Sequence, residues 1–218
     1  MLKGKSESGN VIFNIVMTIL LFAFLITGAT FLVLSFRPLY YAMIKWFDIE
    51  KTSGYTTDVI KANYDAVISY NMFWGPETLR FPDFPMSTNA EIHFMEVKRI
   101  FVTMQYIFIG SGLLLIPGSI IAKKKGYTTW PKACAFFTIA AILIVGFGLV
   151  FFWDQTFVLF HKIMFNNDFW IFSYKTDPVI LILPDEVFLV DAAAILALMA
   201  AGMTGFILGF GKKKKENG

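Results

Sequence analysis

Four stretches of this chain, 11–36, 100–122, 133–153 and 187–210, stay predominantly apolar for more than the roughly 20 residues that a bilayer-spanning helix needs. Asp191, near the start of the fourth, is the single Asp, Glu, Lys or Arg within them. The pattern predicts an all-α integral membrane protein, one membrane domain over 1–218 with four transmembrane helices. Two long regions, 37–99 and 154–186, separate the first span from the second and the third from the fourth.

These two regions also carry order. Tyr40, Met43, Ile44 and Phe47 recur at helical spacing with Lys45, Asp48 and Glu50 between them, and Val59, Ile60, Asn63, Tyr64, Val67 and Ile68 make a second such face. Helices of this kind either lie in the headgroup plane or pack against the other long region. In both cases they form a cap of short amphipathic helices and loops. Trp46, Trp74, Trp153 and Trp170 suit a membrane interface. Residues 87–91 read as a helix start, with Thr88 and Glu91 at capping-box spacing, running through His93, Val97 and Phe101 into the second span. A helix over 156–165 repeats Phe157, Phe160 and Met164 before Asn166-Asn167-Asp168 breaks it. Pro184, Asp185 and Glu186 suit the start of the fourth span. The glycines at 110, 112, 146 and 148 predict close helix packing, and Pro117 predicts a kink.

Composition agrees: the chain is 56% hydrophobic and 16% charged, too apolar for a water-soluble protein of 218 residues. Charge sets the orientation. Lys3 and Lys5, then Lys123, Lys124, Lys125 and Lys132, then Lys212–Lys215 place ten bases against two acids in three short segments, a net of +8; the remainder carries nine against fourteen, a net of −5. Lysines in short loops mark the cytoplasmic side. Both termini are therefore expected inside and both long regions outside. The first span is too long for a cleaved signal and reads as a retained anchor. One cysteine, Cys134, excludes an internal disulfide and a cysteine-rich metal site.

The two histidines, His93 and His161, are the only ones in the chain. Each falls just beyond the outer end of a different span: His93 precedes residue 100 by seven positions, and His161 follows residue 153 by eight. Imidazole is the side chain best suited to proton transfer near neutral pH. A pair at one membrane face points to acid–base chemistry on a membrane-embedded substrate; the bland alternative is two interfacial side chains without chemistry. Asp177, Glu91, Glu186 and Asp191 are the nearest candidates to orient an imidazole, and Asp191 stands out because an acid within an apolar span is costly. There is no G-x-S-x-G elbow, no H-E-x-x-H motif and no ligand spacing typical of zinc. No metal or cofactor is expected.

The motifs themselves are familiar. Asn63-Tyr64-Asp65-Ala66-Val67-Ile68-Ser69-Tyr70-Asn71 is followed by Glu91-Ile92-His93-Phe94-Met95-Glu96-Val97-Lys98. A third signature runs from Phe160-His161 through Phe165-Asn166-Asn167-Asp168-Phe169-Trp170 and Asp177-Pro178-Val179-Ile180 to Leu183-Pro184-Asp185-Glu186-Val187-Phe188. In order and topology these resemble the bacterial lipoprotein intramolecular transacylase (Lit) family across essentially the whole chain. Phe94 and Glu96 depart from the family's usual Met and Asp. The resemblance implies an acyltransferase of the Gram-positive cell membrane, acting at the extracytoplasmic face on a diacylated lipoprotein. It would move the sn-2 acyl chain of the diacylglyceryl-cysteine to the free α-amino group, giving an N-acyl, S-monoacylglyceryl (lyso) lipoprotein without an acyl-enzyme. His93 and His161 would be base and acid in an order left open. Tyr64, Lys98 and Asn167, and more weakly Ser87 and Trp170, would be candidates to bind the oxyanion, and Asp177 or Glu186 would orient a ring. The implied partners are that lipoprotein and membrane lipids, with no nucleic acid and an open oligomeric state. A lipid-binding scaffold and a metal-dependent membrane hydrolase are the rival readings.

Overall fold

The computed structural model describes residues 2–127 and 129–211, with side chains placed for 10–127 and 129–210; the lysines at 212–215 lie outside the described residues. Within it the chain forms eight α-helices: α1 (Leu2–Ser35), α2 (Arg37–Trp46), α3 (Ile49–Ser53), α4 (Thr57–Tyr70), α5 (Thr88–Lys125), α6 (Trp130–Phe151), α7 (Trp153–Met164) and α8 (Asp185–Gly211). A 3₁₀ turn, Pro178–Ile182, precedes α8. Among the described residues there is no strand.

Helices α1, α5, α6 and α8 are long and apolar enough to cross a membrane. Helix α1 packs against α5, α6 and α8, and α6 packs against α8. At the lysine-bearing end, Met17, Leu21, Leu25, Leu115, Ala122, Trp130, Cys134 and Met203 form one buried core. Gly126 closes α5 there in the left-handed conformation, φ 71°, which its missing Cβ makes inexpensive. Leu113, Ile116, Phe136, Leu143, Ile144 and Val150 point outward and are exposed, as lipid-facing side chains are. The expected glycine packing holds in part. A Cβ on Gly112 would lie 3.1 Å from Phe24, and one on Gly148 would lie 2.8 Å from Thr156 Oγ1, but Gly110 faces open space.

Helix α5 has 38 residues, about 57 Å at 1.5 Å per residue, nearly twice the ~30 Å hydrocarbon core. Its apolar part, 100–122, fills that core. Residues 88–99, with Glu91, Glu96, Lys98 and Arg99, stand outside it as a rigid post, and His93 is on the post. The other histidine is not carried on a straight extension of its span. The chain bends at Phe152 (φ −144°, ψ 47°) between α6 and α7. Gly148 and Thr156 would be about 12 Å apart along a straight helix; here they nearly touch. Helix α7 is therefore folded back beside the end of α6.

The opposite end of the bundle carries the cap. Tyr40, Met43 and Ile44 of α2 pack with Ile60, Tyr64, Val67 and Ile68 of α4 and with Val179 and Ile182 of the 3₁₀ turn. The apolar faces of α2 and α4 thus turn toward the other long region. Tyr40 lies flat on Tyr64, ring centroids 3.6 Å apart and 9° from parallel, and its hydroxyl donates to the Ile182 carbonyl at 2.5 Å. Trp46 and Trp74 remain exposed. The loop after α4 is clamped by α5: Gln105 donates to the Asn71 carbonyl at 2.8 Å and accepts from the Phe73 amide at 3.2 Å, and Lys98 donates to the carbonyls of Gly75 and Pro76.

Gly75 sits where a Cβ would meet the Ser69 carbonyl and come within 2.8 Å of Tyr70 O and 2.9 Å of Met72 O. These are backbone atoms that cannot swing aside, so Gly75→Ala is expected to cost about 1–3 kcal/mol by overpacking. Thermal unfolding in detergent measures it; an unchanged midpoint would show that the loop yields.

Candidate active site

His93 arises on the outer post of α5 and is 7% exposed. Phe165 and Phe172 present edges to its ring at centroid distances of 4.6 and 5.4 Å. Its Nδ1 is buried and has no hydrogen-bond partner. His161 arises on α7, whose side chains are all at least partly exposed. Its ring stacks on Trp170 at 4.6 Å and 29° and rests on Phe157 at 4.2 Å. The two imidazoles are 6.3 Å apart, centroid to centroid, and inclined by 32°.

His161 Nδ1 is 2.7 Å from the Phe157 carbonyl oxygen. A carbonyl only accepts, so Nδ1 carries the proton and, in the neutral ring, Nε2 keeps its lone pair. Burial lowers the His161 pKa from its ordinary value, against smaller upward pulls from the Phe157 carbonyl and the Asp185 carboxylate. Burial, and after it the charge of His161, bring His93 down to about 4. Both rings are thus held neutral at physiological pH, a base state.

The loop after α7 completes the site. Asn167 donates through Nδ2 to both carboxylate oxygens of Glu96, at 2.9 and 3.2 Å. Its Oδ1 accepts from the Phe169 amide at 3.0 Å, and its own carbonyl accepts from Trp170 Nε1 at 3.1 Å. Asp177 is 3% exposed and accepts from the Ser87 amide at 2.7 Å, the Ser87 hydroxyl at 3.0 Å and the Thr176 hydroxyl at 2.7 Å. Ser87, not Thr88, is the N-cap of α5, taking the Ala90 amide at 3.2 Å. In a capping box the N-cap amide is taken by a carboxylate three residues on; here Asp177 supplies it from across the cap.

Of the residues singled out in the sequence, the structure brings His93, His161, Asn167 and Trp170 together. Asp177 is tied to the start of α5, one helical turn or more from His93. Tyr64 is stacked in the cap core; burial, then the Asp191 charge, push its phenol up. Lys98 holds the 75–76 loop and lies 4.4 Å over the Tyr70 ring. Glu91 and Glu186 are exposed, and Asp191 is half-buried on α8 facing the Tyr64 side. The acid felt by His161 is Asp185. Sequence reading missed Phe165, Phe172, Asp185 and Glu96 as parts of the site. For Glu96 a signal existed: three residues after His93, it shares a helix face with it. Among the described residues, no three His, Cys, Asp or Glu side chains converge as a metal centre requires.

A family model, "Lipoprotein intramolecular transacylase Lit", matches residues 15–188, which include every residue of this site. The chain belongs to the Lit family. By that membership it is an acyltransferase and a multi-pass membrane protein. It is similar to the in meso structure of the membrane-integral Lit of Bacillus cereus, with a TM-score of 0.89 and 31% identity, covering 96% of this chain and 99% of that one. It is also similar to two variants of the B. cereus protein in which one histidine is replaced. The arginine variant matches with a TM-score of 0.83 at 31% identity, covering 94% and 92%. The alanine variant matches with a TM-score of 0.85 at 30% identity, covering 96% of each. No curated protein sequence matches.

Asp177→Ala removes the acceptor for three donors, leaving the half-buried amide and hydroxyl of Ser87 at the start of α5 without their partner, a loss of about 1 kcal/mol for each bond. Hydrogen exchange is expected to show the first turn of α5 opening while 100–122 stays protected. Unchanged exchange at 87–92 would mean that the cap holds α5 without Asp177.

Proposed function

We propose that this protein moves the sn-2 acyl chain of a diacylglyceryl-cysteine lipoprotein onto that cysteine's own α-amino group at the extracytoplasmic face, with both termini in the cytoplasm. The observation that carries the reading is the pair of imidazoles, 6.3 Å apart, with His161 Nδ1 committed to the Phe157 carbonyl so that Nε2 is left to accept. Family membership, the lysine clusters and the exposed apolar surface of α7 support it. Leu159, Phe160 and Ile163 of that helix are exposed and continue the lipid-facing belt of α6, so the site opens toward the bilayer that holds the substrate.

The free α-amine, pKa about 7.7–8.0, attacks the sn-2 ester carbonyl as the neutral base. Its nitrogen forms the new C–N bond and sheds a proton to His161 Nε2. The tetrahedral oxyanion then collapses, the C–O bond to glycerol breaks, and protonated His161 returns the proton to the leaving oxygen. Bonds and protons balance within the substrate, and no acyl-enzyme forms. His93 is too acidic to be an imidazolium at neutral pH. Its neutral N–H serves instead as a donor to the oxyanion, a role for which the amide of Asn167, already engaged, is not free. Because amine and ester share one molecule, folding the headgroup between the rings can supply about 7–11 kcal/mol of the barrier.

Tandem mass spectrometry of a synthetic diacylated lipopeptide tests this, since transfer leaves the total mass unchanged and only fragments locate the acyl group. The parent protein is expected to give an N-acylated cysteine, and His161→Ala to lose about 10²–10⁴ in rate. An unaltered lipopeptide with folded parent protein would favour the scaffold reading. Loss of one fatty-acid mass would mean hydrolysis.

The pH dependence is a separate check. The base must be neutral, and the His161 midpoint lies below the usual ~6.5, so kcat rises through that lowered midpoint and rises again as the substrate amine loses its proton toward about 7.7–8.0. A fall in kcat between pH 6 and 8, on the order of tenfold per pH unit, would require an imidazolium acid and overturn the assignment to His93.

A further inference from the structure

We infer that Glu96 is a positioning residue for His161, acting through Asn167 and Trp170; the inference rests on the transfer reading above for its kinetic consequence only. Helix α7 orients the His161 ring through Phe157, whose carbonyl takes Nδ1–H and whose ring lies 4.2 Å away, but the helix itself buries no side chain and is joined to α6 through the bend at Phe152. The ring is held from outside by the indole it stacks on. That indole is fixed by its N–H to the Asn167 carbonyl at 3.1 Å, and Asn167 in turn is fixed by Glu96 at 2.9 and 3.2 Å.

The orientation of the Asn167 amide leaves no freedom. Its Oδ1 is taken by the Phe169 amide, so Nδ2 must face Glu96; a flipped amide would set oxygen against carboxylate. Glu96 itself sits one turn after His93 on the rigid outer post of α5. One carboxylate thereby sets the distance between the imidazole of α5 and the imidazole of α7, elements that otherwise meet only through aromatic edges. The titratable groups facing His161 are His93 from α5 and Asp185 from α8. Glu96 works through geometry.

The test uses the full-length protein in detergent or bilayer mimetic, with two variants and two readouts. The chain has two histidines, so ¹⁵N-histidine NMR reports two rings. Glu96→Ala is expected to lower kcat by about tenfold to a hundredfold, the cost of misplacing a reacting group by about 1 Å, with KM little changed. It should also raise the His161 titration midpoint toward the ordinary value, as the ring loses its cover, and blur its Nδ1–H tautomer. Glu96→Gln, whose Oε1 still accepts from Asn167, is expected to restore most of both. Asn167→Ala should match Glu96→Ala, and the double variant should be no worse than either alone.

An Ala variant with parent kcat overturns the inference. So does one that loses kcat while the His161 spectrum and midpoint stay as in the parent, because the loss then comes from elsewhere in the fold. If the parent transfers no acyl group but Glu96→Ala still moves the His161 signals, the tie stands and the reaction assigned to the site falls.

Discussion

The site depends on how a buried carboxylate ends a helix. Helix α5 enters the cap with free amides at its first turn, and those amides need acceptors. Asp177 supplies one from 90 residues away, taking both the amide and the hydroxyl of Ser87. A carboxylate that is 3% exposed is tolerable because three donors and the positive end of a helix compensate it. This one contact sets where α5 begins, and α5 is continuous from there to the lysine-bearing end, with Pro117 inside it. The heights of His93, Glu96 and Lys98 follow from it. Thus the second long region determines the position of a histidine carried by the first.

Around that post the cap does two kinds of work. On one side Lys98 and Gln105 hold the 71–76 loop, and Tyr40 and Tyr64 stack in an apolar core. On the other, Phe165 and Phe172 close over His93 while Trp170 backs His161. The first side is a packed floor, held by hydrogen bonds to the loop's backbone, with Asn71 Oδ1 buried there without a partner. The second leaves a buried nitrogen on His93 without a partner and a lone pair on His161 Nε2. Buried polar groups are normally satisfied, so unpaired nitrogens on two facing rings are more than packing needs. The same burial lowers the pKa of both rings, in the direction that the proposed roles of proton acceptor and oxyanion donor require.

Much of this could be read from the sequence because its causes are local or repetitive. The four apolar runs announce themselves by length, and α2 and α4 by the 3.6-residue period of Tyr40, Met43, Ile44 and of Ile60, Tyr64, Val67. His93 lies where its spacing from residue 100 puts it, since α5 is continuous. His161 does not, because the bend at Phe152 has no proline or glycine to mark it; the small Gly148 that lets Thr156 fold back is the only trace. The function of Asp177 was equally hidden. Its partner is far along the chain, and a local carboxylate at Glu91 offered a more obvious cap. Tyr64 and Lys98, prominent in the motifs, are placed by stacking and by backbone carbonyls that a linear reading does not contain.

The bend at Phe152 also has a consequence for how such a site must be built. A histidine continuing α6 straight outward would stand about 12 Å beyond the span on the axis of α6. Folding α7 back brings His161 beside α5 and sets Leu159, Phe160 and Ile163 in reach of lipid, at the cost of the rigidity that burial would have given. A helix without a buried side chain gains its order from whatever its neighbours impose. Here that is an indole stack and an asparagine whose three polar groups are all committed. Under the proposed transfer, a lipid-accessible element with an externally fixed base would let an acylated substrate approach from the membrane while the proton acceptor stays aimed. An enclosed pocket would hold the ring more firmly and shut out a substrate whose chains never leave the bilayer.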